Sequence, residues 1–178
     1  MVSLLSVKHE DKGITLYHHD KRRSGLIVQE FLGDYDGHMP CDMWSDYRQL
    51  GNAKLVRCLI HVRRKFFEAT TKQADQNSLG LKGLMYCNKM FALENKWANL
   101  SPQDRQIQRQ EELEPLRFEF FAWCRNQAIL PDSKLEREID HNLKYEETFN
   151  TILKDGKLVL PNNIVERTIK SFVMGRKN

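Results

Sequence analysis

Apolar and polar positions follow two different periods along the chain. Val2 to Val7 is a short apolar run ended by the turn-forming HEDKG, and Ile14 to His19 alternates and is rich in β-formers. These two segments predict a hairpin. Ser24 to Gly33 predicts a short helix, with Ser24 as cap, Leu26, Ile27 and Phe31 as its apolar positions and Gly33 as stop. After the compact GDYDGH, Asp42 to Leu50 predicts a second short helix. Ala53 to His61 reads as a buried strand, apolar at Leu55, Val56, Leu59 and Ile60, and VRRKFFEA after it reads as helical, with Phe66 and Phe67 anchoring it in the core.

From about Asn77 the period becomes helical and stays so. Leu81, Leu84, Met85, Phe91, Leu93 and Trp97 fall on roughly one face. Ser101 as cap, Pro102 in the first turn and Asp104 toward the helix dipole predict a helix start, and that helix runs to about Ala128. Ser133 and Glu136 form a capping-box pattern for the next helix, which Gly156 ends. Strands, then a helical block, then a final helix predict an α/β chain in three parts: strands and short helices over 1–76, a helical insertion over 77–156, and a helix with a basic tail over 157–178. Three or four short strands make a thin sheet whose edges need cover.

Composition narrows the class. With 178 residues, 40% hydrophobic and 29% charged, the chain can bury a core and is not a disordered tract. No run approaches the roughly 20 apolar residues of a membrane span. MVSLLSV is short for a signal peptide and is followed by KHEDKG rather than a cleavage site. Cys41, Cys58, Cys87 and Cys124 show no CxxC or zinc-knuckle spacing and read as reduced thiols of a cytosolic protein. The net charge of +4 says less than its distribution. Lys54–Lys72 holds six bases and one acid, Lys157–Asn178 five bases and one acid, and Glu94–Glu147 twelve acids and eight bases. Two basic stretches that meet would suit phosphate; apart, they are solvated faces.

The candidate chemistry has structural alternatives at every point. Glu166 falls at the third position of a helix capped by Asn163, and pairs at i,i+4 with Lys170, worth about 0.2–0.5 kcal/mol. It is either a capping residue or one part of a site completed elsewhere. Asp36 lies in an Asp-Gly turn, or it presents its carboxylate at the carboxyl edge of a sheet, where α/β sites form. Two such carboxylates near bases are what metal-assisted phosphoryl transfer requires. Arg63, Arg64 and Lys65 are consecutive, so they cannot all face one way. They read as a phosphate-contacting edge or as exposed bases at a helix start.

Taken together, GDYDG, CLIHVRRKFFEA, NNIVER and GRKN resemble, in order and spacing, the blocks of the bacterial insertion sequence 66 transposases. Those blocks read like LQTDGY, C-x-A-H-x-RRKF-x-EA and DNN-x-x-ER-x-x-RP-x-x-x-GRKN-W. ALENKWANLSPQDRQIQRQ and LPDSKL are similar to the family's helical segment. The resemblance implies an incomplete ribonuclease-H-like mixed sheet, with a helical insertion before the helix that bears the last catalytic acid. It implies a DDE transposase, in which carboxylates hold Mg²⁺ or Mn²⁺, cut DNA at transposon ends and join the freed 3′-hydroxyl to target DNA. On this pattern Asp36 matches the aspartate of the TDG block and Glu166 the glutamate of NN-x-x-ER, both as metal ligands. Arg63, Arg64, Lys65, Arg167, Lys170, Arg176 and Lys177 would contact DNA, and Cys58, His61, Asn162 and Asn163 match the supporting motif positions.

Departures from the pattern carry expectations of their own. The family's first aspartate lies upstream of the segment matching VSLLSV, and Glu10 and Asp11 fall in a turn, the wrong place to replace it. DNN is PNN here, with Pro161, and RP is replaced by Lys170 and Ser171. The chain is therefore expected to be a fragment of a transposase, inactive alone, self-associating or pairing with a full-length transposase, and located in the bacterial cytoplasm at the nucleoid. The alternatives are a non-catalytic DNA-binding or assembly module, and a helical protein with chance matches.

Overall fold

The computed structural model describes residues 2–9, 12–19, 25–43, 47, 50–70, 78–158 and 160. The chain divides into two compact units, one of residues 1–37, 44–53 and 162–178, the other of 38–43 and 54–161.

In the first unit, β1 (Val2–His9) and β2 (Lys12–His19) pair antiparallel, from Val2 opposite His19 to His9 opposite Lys12. The predicted hairpin is thus present. Helix α1 (Gly25–Leu32) follows. It stops where predicted: Gly33 takes the left-handed conformation (φ 55°), and its N–H donates to the Gln29 carbonyl at 2.8 Å. The expected cap, Ser24, lies outside the described residues.

The second unit contains a short parallel pair, β3 (His38–Cys41) and β4 (Lys54–Arg57), in register from His38 opposite Lys54 to Cys41 opposite Arg57. Two sequence expectations change here. The segment after Gly37 is a strand, and Asp42 and Met43 follow it as non-helical residues rather than opening a helix. Burial alternates along β3, with Met39 and Cys41 inside, but four residues containing Pro40 give little strand signal. The second strand ends at Arg57, not His61, because Leu59, Val62 and Phe66 are buried at helical spacing. Cys58 is the extended residue between β4 and α2 (Leu59–Ala69), and its N–H continues the ladder to the Cys41 carbonyl at 3.1 Å.

Helix α3 (Leu79–Lys96) packs on α2. Of its predicted face, Leu84, Phe91 and Leu93 pack against the core and Trp97, just beyond the helix, is buried, whereas Met85 is exposed; Gly80, Gly83, Cys87 and Met90 add buried positions the pattern did not mark. Gly83 is small for a reason: a Cβ there would overlap the Phe66 ring. Phe67, the other half of the predicted aromatic anchor, is exposed. Helix α4 (Pro102–Gln108) starts as predicted, with the Asp104 N–H donating to Ser101 Oγ at 3.1 Å. A π-helical turn (Arg109–Leu113) joins it to α5 (Glu114–Arg125). Helix α6 (Lys134–Lys144) begins at Ser133, whose Oγ accepts from the Glu136 N–H at 3.0 Å, while the Glu136 carboxylate accepts from the Asp132 N–H at 2.6 Å. Helix α7 (Glu146–Asn150) and a 3-10 turn (Thr151–Lys154) complete the block.

The core of this unit runs from Val56 and Leu59 through Phe66, Phe120 and Phe121 to Phe149 and Ile152. Phe121 meets Phe120 and Phe149 edge-on, each at 5.1 Å between ring centroids. Arg109, fully buried, ties three chain segments together. It holds Glu94 by two bonds of 2.7 Å and donates to the carbonyls of Ile152, Asp155 and Leu158 at 3.1, 3.1 and 2.7 Å. Arg105 likewise donates to the carbonyls of Trp97, Ala98, Leu100 and Gly156. The basic residues of the motif SPQDRQIQRQ are therefore structural clamps.

Candidate functional site

The carboxyl end of the parallel pair is where the second unit gathers its polar chemistry. Strand β3 ends at Cys41, so Asp42 leaves the sheet at its carboxyl edge, and its side chain is exposed. Met43 then takes φ 63° while its side chain is 2% exposed. A non-glycine residue held at positive φ costs of order 1–3 kcal/mol and persists only where its surroundings impose it. Part of that restraint is local: Cys41 Sγ lies 3.8 Å from Met43 Sδ.

Beneath this strand end lies a buried polar cluster. Arg57, the register partner of Cys41, is 3% exposed. Its Nη2 donates to His141 Nδ1 at 3.0 Å and to Asn142 Oδ1 at 3.1 Å, and stands 3.6 Å from Glu138 Oε1. Asn142 Nδ2 donates back to Glu138 Oε1 at 3.1 Å. Because an arginine can only donate, His141 Nδ1 must accept, which puts the proton of the neutral ring on Nε2. Arg57 Nε and Nη1 find no acceptor among the described residues. Leaving buried donors unmet costs about 1–3 kcal/mol.

Burial sets the ionisation of the cluster. It pushes the Glu138 carboxyl up to about 7, against the pull of Arg57 and the Asn142 bond. It holds the His141 imidazole below its usual value, helped by Arg57 and opposed by the Met43 main chain. Burial also lowers Arg57, against the attraction of Glu138. The thiols of Cys41 and Cys124 are pushed up to about 12 by burial, so neither is a thiolate nucleophile at neutral pH. All four cysteines are buried and none is in a disulfide.

The predicted residues are distributed as follows. Asp36 is exposed and irregular, two residues ahead of β3, so the strand-end argument made for it applies instead to Asp42. Its following residue, Gly37, does not use the left-handed conformation, whereas Met43 after Asp42 does. Cys58 is buried at the start of α2, and its carbonyl accepts from the His61 N–H at 3.2 Å. The three consecutive bases splay, as expected. Arg63 donates to Asn88 Oδ1 on α3 at 2.7 Å, Lys65 reaches Glu68 at 3.4 Å, and Arg64 is exposed. Glu166, Asn162, Asn163, Arg167, Lys170, Arg176 and Lys177 lie outside the described residues. Among the described residues no group of three or more His, Cys, Asp or Glu could hold a metal. Asp42 offers one hard oxygen ligand of the kind Mg²⁺ or Mn²⁺ takes. No described helix is long and apolar enough to cross a membrane.

Sequence reasoning missed Arg57, Glu138, His141 and Asn142. The available signal was the spacing of 138, 141 and 142, which places all three on one helix face together with the apolar Ile139.

The comparisons with known proteins agree with the motif reading. The family described as Transposase IS66 family matches residues 3–178. The uncharacterized protein y4hP of Sinorhizobium fredii is 29% identical over 182 residues, which cover 92% of this chain and 33% of that protein. The uncharacterized protein y4jD of the same organism is 26% identical over 173 residues, covering 91% of this chain and 34% of the relative. The chain thus spans about a third of the length of these relatives. No solved structure matches it.

Proposed function

The chain belongs to the IS66 family of transposases, and from that premise we propose that it carries two of the three carboxylates of a metal-dependent site for DNA strand cutting and transfer. The two are Asp36 and Glu166, the acids of the YDG and NNIVER blocks. The observation that carries this reading is the family match over residues 3–178, which spans both blocks. Asp42, at the carboxyl edge of the parallel pair, is the alternative to Asp36. The parallel pair followed by a helical block is what a ribonuclease-H-like sheet with an insertion requires, and supports that fold.

A divalent metal held by Asp36 and Glu166 would polarise a phosphate oxygen and activate the attacking hydroxyl. The chain's own contribution is to aim these carboxylates and to bind the DNA backbone. Arg64 and Lys65 on α2 are exposed and suited to phosphate, and we read Arg63, Arg167, Lys170, Arg176 and Lys177 as further DNA-contacting bases from the motif match. We read these residues as binding DNA, and the chain as pairing with itself or with a longer family member. Such a role would be exercised on DNA in the bacterial cytoplasm.

Mn²⁺ binding, followed by the spin-resonance signal of the free ion, tests the assignment. Asp36→Asn and Glu166→Gln should each weaken binding, and Asp42→Asn should not. Loss with Asp42→Asn in place of Asp36→Asn moves the site to Asp42, and no loss with any variant sinks the metal reading. Steep salt dependence of DNA binding in that last case favours a purely DNA-binding or assembly module.

A further inference from the structure

We propose that Phe67 is a stacking platform for an unpaired DNA base, set on α2 among cations that take the adjoining phosphates. The inference rests on the reading of α2 as a DNA-contacting helix, and it adds to that reading a preference for strands whose bases are free.

Three observations carry it. The first is the exposure of the ring. Phe67 is 63% exposed, whereas Phe66, one residue earlier, is fully buried against Phe120 and Trp123. Phe66 anchors α2 in the core, so Phe67 is not needed there. The second is what flanks the ring. Residues three and four apart on a helix are neighbours, so Arg63 and Arg64 lie one turn back from Phe67. Arg63 is held in place, its Nε donating to Asn88 Oδ1 on α3 at 2.7 Å. Glu68, the acid next to Phe67 in the chain, is engaged by Lys65 at 3.4 Å. The third is the stripe to which the ring belongs. Half-buried Ile60 and exposed Arg64 and Phe67 share the side of α2 turned away from Leu59, Val62 and Phe66.

These surroundings select the partner. An apolar protein surface laid over Phe67 would strip water from Arg64 and Lys65 and offer them no anion. A nucleotide matches both features: its base gives an apolar face to the ring, and its phosphates give anions to the bases beside it. In a duplex the base faces are already stacked on one another, so only an unpaired strand can use the ring. Strand cutting supplies such bases, because a cut end leaves its last base with one face free.

The test uses the whole 178-residue chain. Fluorescence anisotropy follows binding of a labelled single strand of about 12 nucleotides, within the site sizes such platforms cover, and of its duplex. Phe67→Ala should weaken single-strand binding about ten-fold and leave duplex binding unchanged. Phe67→Leu, which keeps bulk without the ring, should behave as alanine does. Phe67→Trp should restore the affinity, and the emission it adds over the wild type should fall as the single strand binds. Arg64→Ala should weaken both forms. Wild-type affinity for the single strand in Phe67→Ala overturns the platform, and so does an equal loss for both forms. If Phe67→Ala lowers the urea midpoint or abolishes association between copies of the chain, the ring packs within the chain or against a second copy, and the platform is again overturned. A wild-type chain that binds neither form sinks the DNA-contacting reading and the platform with it, whereas binding that ignores Phe67 sinks the platform alone.

Discussion

Replacing Glu138 with glutamine should change how stability depends on pH. Glu138 is 6% exposed, and burial raises its carboxyl from the ordinary 4.5 to about 7. Between those values the folded chain keeps a proton that the unfolded chain has released. Folding therefore takes up protons in that window, and this group's effect is to lower stability as pH rises through it. At about 1.36 kcal/mol per pKa unit, the full effect is about 3 kcal/mol, absent below pH 4.5 and complete above about 7. Glutamine keeps the shape and an oxygen for Asn142 but never ionises. The assay is urea unfolding of both proteins from about pH 4.5 to 8, followed through the buried Trp97. Near pH 4.5 the two should be close, and by pH 8 the glutamine variant should lead by up to about 3 kcal/mol. His141, whose depressed value acts with the opposite sign, is present in both proteins, so the difference curve isolates Glu138. A gap that stays constant across the range would refute the reasoning, because Glu138 would then be fully ionised against Arg57 throughout.

Two further outcomes follow from the packing. Arg109→Met strands the Glu94 carboxylate and three carbonyls, and should cost about 3–5 kcal/mol in urea unfolding; a loss below about 1 kcal/mol would show the clamp to be redundant. Gly83→Ala gains about 1 kcal/mol of helix propensity but drives a methyl into the Phe66 ring, for a net loss of about 1–2 kcal/mol. A raised melting temperature would mean that α2 and α3 separate easily.

What the sequence made legible follows from how local each signal is. Ser101 and Ser133 cap their helices where their letters place them, because a cap depends on a few neighbouring residues. Gly33 stops α1 for the same reason. Part of the α3 contact surface escapes a hydrophobicity pattern because Gly80 and Gly83 make it, Gly83 against the Phe66 ring and Gly80 against Thr70 at the end of α2. Strand β3 was lost because four residues with a central proline carry almost no periodicity. The buried cluster was invisible in a different way: Arg57 and His141 are 84 residues apart, and each alone reads as an ordinary surface side chain.

The choice between Asp36 and Asp42 shows why motif letters and motif geometry can part. Letter matching selects Asp36 before Gly37. The end of the parallel strand is instead followed by Asp42, and the residue after it, Met43, takes a positive φ that glycine would adopt without strain. What holds Met43 there is its burial and the His141 ring that its main chain faces. On that reasoning, Met43→Gly should relieve the strain and leave Asp42 less dependent on α6. Combined with His141→Ala, it should give slower amide hydrogen exchange at Asp42 than His141→Ala alone. Faster exchange in the double variant would mean that Met43's side chain, and not the imidazole, is what holds the strand end.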